Sequence, residues 1–153
     1  MNLEIVTASE GETLDLGRRM AGMLQGGDVL CVDGELGAGK TCFVRGIATG
    51  LGISELEVSS PTFSIAHVHG YPGGTLYHID AYRLSGVEEL ETIGWDEMVA
   101  DDRGVVVCEW AERIADAMPA QRIEVELHHR SPSERGVVLT IPEGMSSRFT
   151  SLR

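Results

Sequence analysis

Lysine is almost absent from this 153-residue chain: it occurs once, at position 40, and the other eleven basic residues are arginine. That usage singles out one place where a compact ammonium is required and a planar guanidinium is a poor substitute. Aromatic residues are also scarce, at 5% of the chain, which excludes a platform on which nucleic-acid bases stack. A net charge of −12 excludes a surface that grips a phosphate backbone unaided, so a role in an RNA pathway would need a partner to hold the RNA. No apolar run approaches the length that crosses a bilayer, and Met1-Asn2-Leu3-Glu4-Ile5 lacks the basic and apolar regions of a signal peptide. The three cysteines, at 31, 42 and 108, are odd in number and form no C-x-x-C pair, so they are expected to be reduced thiols of a cytoplasmic protein. Cys42 sits at a predicted helix N-terminus, where a thiolate is favoured, although packing is its first expected role.

What is present is concentrated around that lysine. Gly34-Glu35-Leu36-Gly37-Ala38-Gly39-Lys40-Thr41 meets G-x-x-x-x-G-K-[ST] in full. Asp28-Val29-Leu30-Cys31-Val32-Asp33, a short apolar run, precedes it and reads as a buried parallel strand. Apolar residues at 43, 44, 47, 48 and 51 follow it at helical spacing. Strand, glycine loop and helix together make a phosphate cradle, in which backbone N–H groups and a helix N-terminus face an anion. Gly37, Ala38, Gly39, Lys40, Thr41 and Cys42 are the candidate phosphate-binding residues, with Lys40 acting on the phosphates and Thr41 offering its hydroxyl to Mg²⁺.

The length suits one domain, taken as residues 1–142, with 143–153 read as a loose polar tail. Ser9 and Glu12 fit a capping box that opens a helix to about Gln25, stopped by Gly26-Gly27. Residues 63–69 and 75–81 read as strands joined by a five-residue turn, so they must be antiparallel. Residues 86–100 read as helical with a break near Gly94, 111–118 as a helix, and 122–128 with 136–141 as a closing hairpin.

Nucleotide hydrolysis also needs acids at neighbouring strand ends. Gly104-Val105-Val106-Val107-Cys108 has the uninterrupted run of a central strand and ends in Glu109, assigned to Mg²⁺, through a water molecule. Leu76-Tyr77-His78-Ile79 alternates more and ends in Asp80, assigned to positioning or activating the nucleophile; the reverse assignment stays open. Thr62, in the loop before the hairpin, is either a switch residue sensing phosphate and Mg²⁺ or an ordinary turn residue. His67, His69 and His78 lack the cysteine or carboxylate that would complete a metal set. The absence of N-K-x-D makes adenine the expected base.

With Ser60-Pro61-Thr62-Phe63, Tyr77-His78-Ile79-Asp80-Ala81-Tyr82-Arg83-Leu84, Glu88-Glu89-Leu90-Glu91, Gly94 and Glu109-Trp110 in this order, residues 1 to about 142 resemble the TsaE (YjeE) family of bacterial tRNA threonylcarbamoyladenosine biosynthesis ATPases. The resemblance implies an α/β, P-loop NTPase-like three-layer fold with a mixed parallel and antiparallel central sheet. It implies ATP and Mg²⁺ as ligands and slow ATPase activity supporting threonylcarbamoyladenosine formation beside the tRNA anticodon. Its implied partners are a threonylcarbamoyltransferase catalytic subunit and that subunit's inactive paralogue, with tRNA met only indirectly. By the same analogy Trp110 packs beside the nucleotide, and the base lies near Glu10 and Arg135. Cys42 departs from the second threonine that many relatives carry. A small-molecule kinase and a nucleotide-sensing adaptor are the competing readings; the kinase lacks an arginine-rich lid segment.

Overall fold

Seven strands and three α-helices are laid out in the computed structural model, which describes residues 1–152. The strands are β1 (Asn2–Thr7), β2 (Val29–Gly34), β3 (Ala66–Tyr71), β4 (Gly74–Asp80), β5 (Gly104–Glu109), β6 (Ile123–His129) and β7 (Arg135–Thr140). They form one sheet in the order β1-β7-β6-β2-β5-β4-β3. Its centre, β6-β2-β5-β4, is parallel, and its flanks β1/β7, β7/β6 and β4/β3 are antiparallel. The expected mixed α/β sheet is therefore present, and β2, β5 and β4 end side by side.

Burial on both faces explains the unbroken apolar runs of β2 and β5. Leu30, Val32, Val105 and Val107 enter one core with helices α1 (Glu10–Ala21) and α2 (Lys40–Leu51). Val29, Cys31, Val106 and Cys108 enter a second core on the opposite face, under α3 (Trp95–Ala100) and two 3₁₀ segments. The sheet is thus the middle of three layers. Helices α1 and α2 meet backbone to backbone: a Cβ on Gly46 would lie 2.1 Å from the Leu14 carbonyl oxygen, and one on Gly17 2.4 Å from that of Phe43. This contact seats the first turn of α2, and with it the phosphate loop, against α1. Among the described residues no helix is long and apolar enough to cross a membrane.

Several boundaries differ from the sequence reading. Ser9 caps α1 through the Glu12 amide at 3.1 Å, but the Glu12 carboxylate returns to Ala8 rather than to Ser9. Helix α1 stops at Ala21, short of the expected Gln25. The Asp28 carboxylate accepts the Gln25 amide at 2.8 Å and Arg148 donates to the Met23 carbonyl at 2.9 Å, so those residues serve a loop. The β3–β4 turn contains only Pro72 and Gly73. Residues 111–117 are 3₁₀, kinked at Ile114, and not the expected α-helix.

The largest correction concerns the tail. Glu143–Leu152, expected to be loose, is a run of 3₁₀ turns with Phe149 and Leu152 buried in the α1/α2 core. Arg148 grips Asp28 with two bonds, at 2.8 and 3.0 Å. Two apolar side chains three residues apart are a sparse signal within a segment of mostly polar composition. Arg153 of the expected tail lies outside the described residues. Phe149→Ala should cost about 3–5 kcal/mol, read as a lower denaturant midpoint, whereas Thr150→Ala on the exposed side should leave it within about 0.5 kcal/mol.

Candidate nucleotide site

Between β2 and α2 the chain must turn sharply and present its amides outward, and glycine makes both possible. Gly37 and Gly39 hold φ of 78° and 101°, in the left-handed region where a side chain is strained. The first amide of α2 to find a backbone acceptor is that of Phe43, on the Gly39 carbonyl at 2.9 Å. Among the described residues the amides of Gly39, Lys40, Thr41 and Cys42 have no protein acceptor. Those four residues line a cleft of ≈ 450 Å³, a size typical of small-molecule sites. Ala38 stands apart: its amide bonds to the Glu35 carbonyl at 3.0 Å and its methyl is buried in the core.

Lys40 is buried, with 6% exposure, and its ammonium donates to the carbonyls of Gly34 and Glu35 at 2.7 and 2.8 Å. It also lies 4.2 Å from the centre of the Trp110 ring. Burial lowers its pKa, and the neighbouring Glu109 and Asp80 charges oppose that shift. Trp110 adopts φ 58°, a left-handed conformation rare for a bulky residue. Its amide still bonds to the Val32 carbonyl at 3.0 Å, so the bend comes directly after the β2–β5 ladder and turns the indole over Lys40. Tyr82 continues this aromatic wall, its ring centre 5.0 Å from that of Trp110.

The two acids stand next to one another because Asp80 and Glu109 are register partners at the ends of β4 and β5. Glu109 accepts the Thr41 hydroxyl at 3.0 Å and the His78 ring nitrogen Nε2 at 2.5 Å. Asp80 accepts the hydroxyls of Thr62 at 2.7 Å and Ser60 at 3.1 Å, and the Tyr82 amide at 2.9 Å. Thr62 is therefore tied to Asp80, not simply exposed in a turn. The segment that carries it ends at Ile65, a β-branched residue at φ 70°, whose carbonyl is held by the Asp80 amide at 2.8 Å.

A second cleft of ≈ 470 Å³ shares Gly37, Gly39 and Cys42 with the first. Its other walls include Glu10, Thr13, Ser133 and Arg135, so the two residues expected near the base border one space. The Arg135 guanidinium is folded back on its own turn, donating to the carbonyls of Ser131 and Glu134 at 3.1 and 3.0 Å. Ser60, Tyr82, His78 and Thr13 were not among the predicted site residues. Ser60 and His78 had a legible signal, since hydroxyls alternate in Ser60-Pro61-Thr62 and His78 precedes Asp80 by two positions on one strand face.

These residues suit a nucleotide triphosphate with a hard divalent cation. The free amides and the ammonium match phosphate oxygens, and the Thr41 hydroxyl beside a carboxylate supplies the oxygen donors that Mg²⁺ takes. No group of three or more His, Cys, Asp or Glu among the described residues would cage a metal by itself.

Packing, the first expected role of Cys42, fits its half-buried place, and its surroundings oppose the thiolate that a helix N-terminus favours. Burial, and then the Glu10 charge, raise its pKa. Burial pushes the Cys31 thiol up to about 12 and that of Cys108 well above its ordinary value. Iodoacetamide at pH 8 should therefore label Cys42 more slowly than a free cysteine peptide, and Cys31 and Cys108 only after unfolding. Peptide mapping by mass spectrometry checks this, and equal labelling of all three in the folded protein would refute it.

The family model described as Threonylcarbamoyl adenosine biosynthesis protein TsaE matches residues 7–137. The tRNA threonylcarbamoyladenosine biosynthesis protein TsaE of Treponema pallidum is 40% identical over 138 residues, covering 90% of this chain and 99% of that protein. The Bacillus subtilis protein of the same name is 37% identical over 134 residues, 88% of this chain and 82% of its own. The crystal structure of Bacillus subtilis YdiB superposes with a TM-score of 0.83 at 29% identity, covering 99% of this chain and 94% of that one. A profile match across most of the chain, two relatives matched over most of their length and one shared fold agree, and the chain belongs to the TsaE family.

Proposed function

We propose that this protein binds ATP with Mg²⁺, hydrolyses it slowly, and thereby supports threonylcarbamoyladenosine modification of tRNA in the cytoplasm. The observation that carries the reading is the row of free amides from Gly39 to Cys42 beside the Lys40 ammonium and the Thr41–Glu109 pair. Lys40 would leave the carbonyls of Gly34 and Glu35 for the phosphates, and its lowered pKa reflects how little water surrounds it before that exchange. Thr41 and Glu109 would hold the cation, which when bound neutralises charge on the transferred phosphoryl group. Asp80 would orient the attacking water, releasing a hydroxyl of Ser60 or Thr62 to do so. Adenine would occupy the cleft bordered by Glu10 and Arg135. Coverage of nearly the whole Treponema relative favours the same pathway here. The partners would be a threonylcarbamoyltransferase catalytic subunit and its inactive paralogue, and the −12 charge favours contact with tRNA only through them.

Slow turnover alone follows if a partner supplies a stabilising arginine, a contribution of about 10³–10⁵-fold in related chemistry. Lys40→Ala should reduce ATP affinity by at least about 100-fold in calorimetry. Glu109→Ala should remove most of the Mg²⁺ dependence while leaving metal-free nucleotide binding within about threefold. Asp80→Asn should bind ATP normally and lose turnover by about 100-fold. Full turnover in Asp80→Asn would remove it from the chemistry. Titrating ATPase rate against the purified transferase subunits tests the pathway assignment, and a rate that never responds would overturn it.

A further inference from the structure

Glu109 is 2% exposed, so its charge depends on what the protein brings to its two oxygens. Thr41 occupies Oε1. Oε2 belongs to His78, reached across the β4–β5 pair. The parallel register sets His78 opposite Val107 and Asp80 opposite Glu109, so all four share one sheet face, and His78 meets Glu109 diagonally. In the tautomer that carries its proton on Nε2, the ring donates to this carboxylate oxygen.

His78 is an expensive residue for this position. It is fully buried, two residues after Leu76, which lies in the apolar α1/α2 core. Its second nitrogen, Nδ1, has no hydrogen-bond partner among the described residues. A buried unsatisfied polar atom costs about 1–3 kcal/mol. A histidine kept for stability would be expected to use both nitrogens; this one commits a single N–H to a single carboxylate oxygen. The His67 ring packs edge-on against it, with centroids 6.4 Å apart and planes at 84°, and so limits rotation of the imidazole.

We infer that His78 is the positioning residue of Glu109: by holding Oε2 it fixes the carboxylate plane so that Oε1 faces Thr41 and the cation site. This rests on the reading of Glu109 and Thr41 as the Mg²⁺-binding pair. His78 lines neither cleft and acts through Glu109 alone. Partners of this kind typically change metal affinity by about 10–100-fold when removed.

Gln and Asn separate this role from packing. A glutamine side-chain amide reaches about as far as Nε2, whereas an asparagine amide stops near Nδ1. The test measures ATP affinity of the full chain by calorimetry at increasing Mg²⁺, together with crystal structures of the metal-free variants. His78→Asn should need at least about tenfold more Mg²⁺ for half-maximal tightening, with metal-free affinity unchanged within about twofold. Its Glu109 carboxylate should turn away from Thr41. His78→Gln should keep the Mg²⁺ response within about threefold of wild type and retain the Thr41–Glu109 contact. The inference is overturned if His78→Asn responds to Mg²⁺ like wild type, if Glu109 stays in place in it, or if Gln fails as Asn does. A wild-type protein with no Mg²⁺ response would instead overturn the reading beneath it, so the two failures are distinct.

Discussion

The buried Lys40 ammonium constrains everything around it. Desolvation disfavours its charge, and the protein answers with two carbonyl oxygens, an indole face and two nearby carboxylates. The carbonyls belong to Gly34 and Glu35, in the same loop whose later amides are free. One short stretch of backbone thus supplies both the carbonyl acceptors of the resting lysine and, a few residues on, a row of amides without protein acceptors. Arginine, with five donors in a fixed plane, is a poor substitute for a compact ammonium between two carbonyls in so small a space.

The rest of the fold keeps that loop in place. Parallel pairing of β2 with β5, and of β5 with β4, brings three strand ends to one edge and sets Asp80 beside Glu109. The close approach of Gly46 to Leu14 seats the first turns of α2 on α1. At the opposite end of β2, Arg148 binds Asp28 just ahead of the strand, and Phe149 fills the core beneath. The C-terminal segment is in this way part of the frame that carries the phosphate loop.

Two features of the site carry a conformational cost. Trp110 sits at φ 58° and Ile65 at φ 70°, on the two segments that flank Asp80 and Glu109. Unusual backbone of this kind persists where surrounding bonds over-determine it. Here those bonds are the Trp110 amide to Val32 and the Asp80 amide to Ile65. Trp110 itself lines the cleft, and the segment that ends at Ile65 carries Ser60 and Thr62, which line it too.

Much of the site was legible from sequence because its signals are local. A glycine loop between an apolar run and a helical period defines the cradle within about ten residues, and acids that end apolar strands are visible wherever strands are. The unique lysine, Thr41, Asp80, Glu109 and the antiparallel hairpin are all of this kind. Contacts between distant segments carried no such signal. The docking of Phe149 and Leu152 depends on a hydrophobic gap that only the assembled α1, α2 and sheet create. The helical stop at Ala21 depends on Asp28 and on Arg148, 120 residues farther along. The His78–Glu109 bond depends on strand order, because only adjacency of β4 and β5 brings position 78 within reach of position 109. Local chemistry and periodicity are written along the chain; which side chains share a buried space is decided by packing, and packing is a property of the whole.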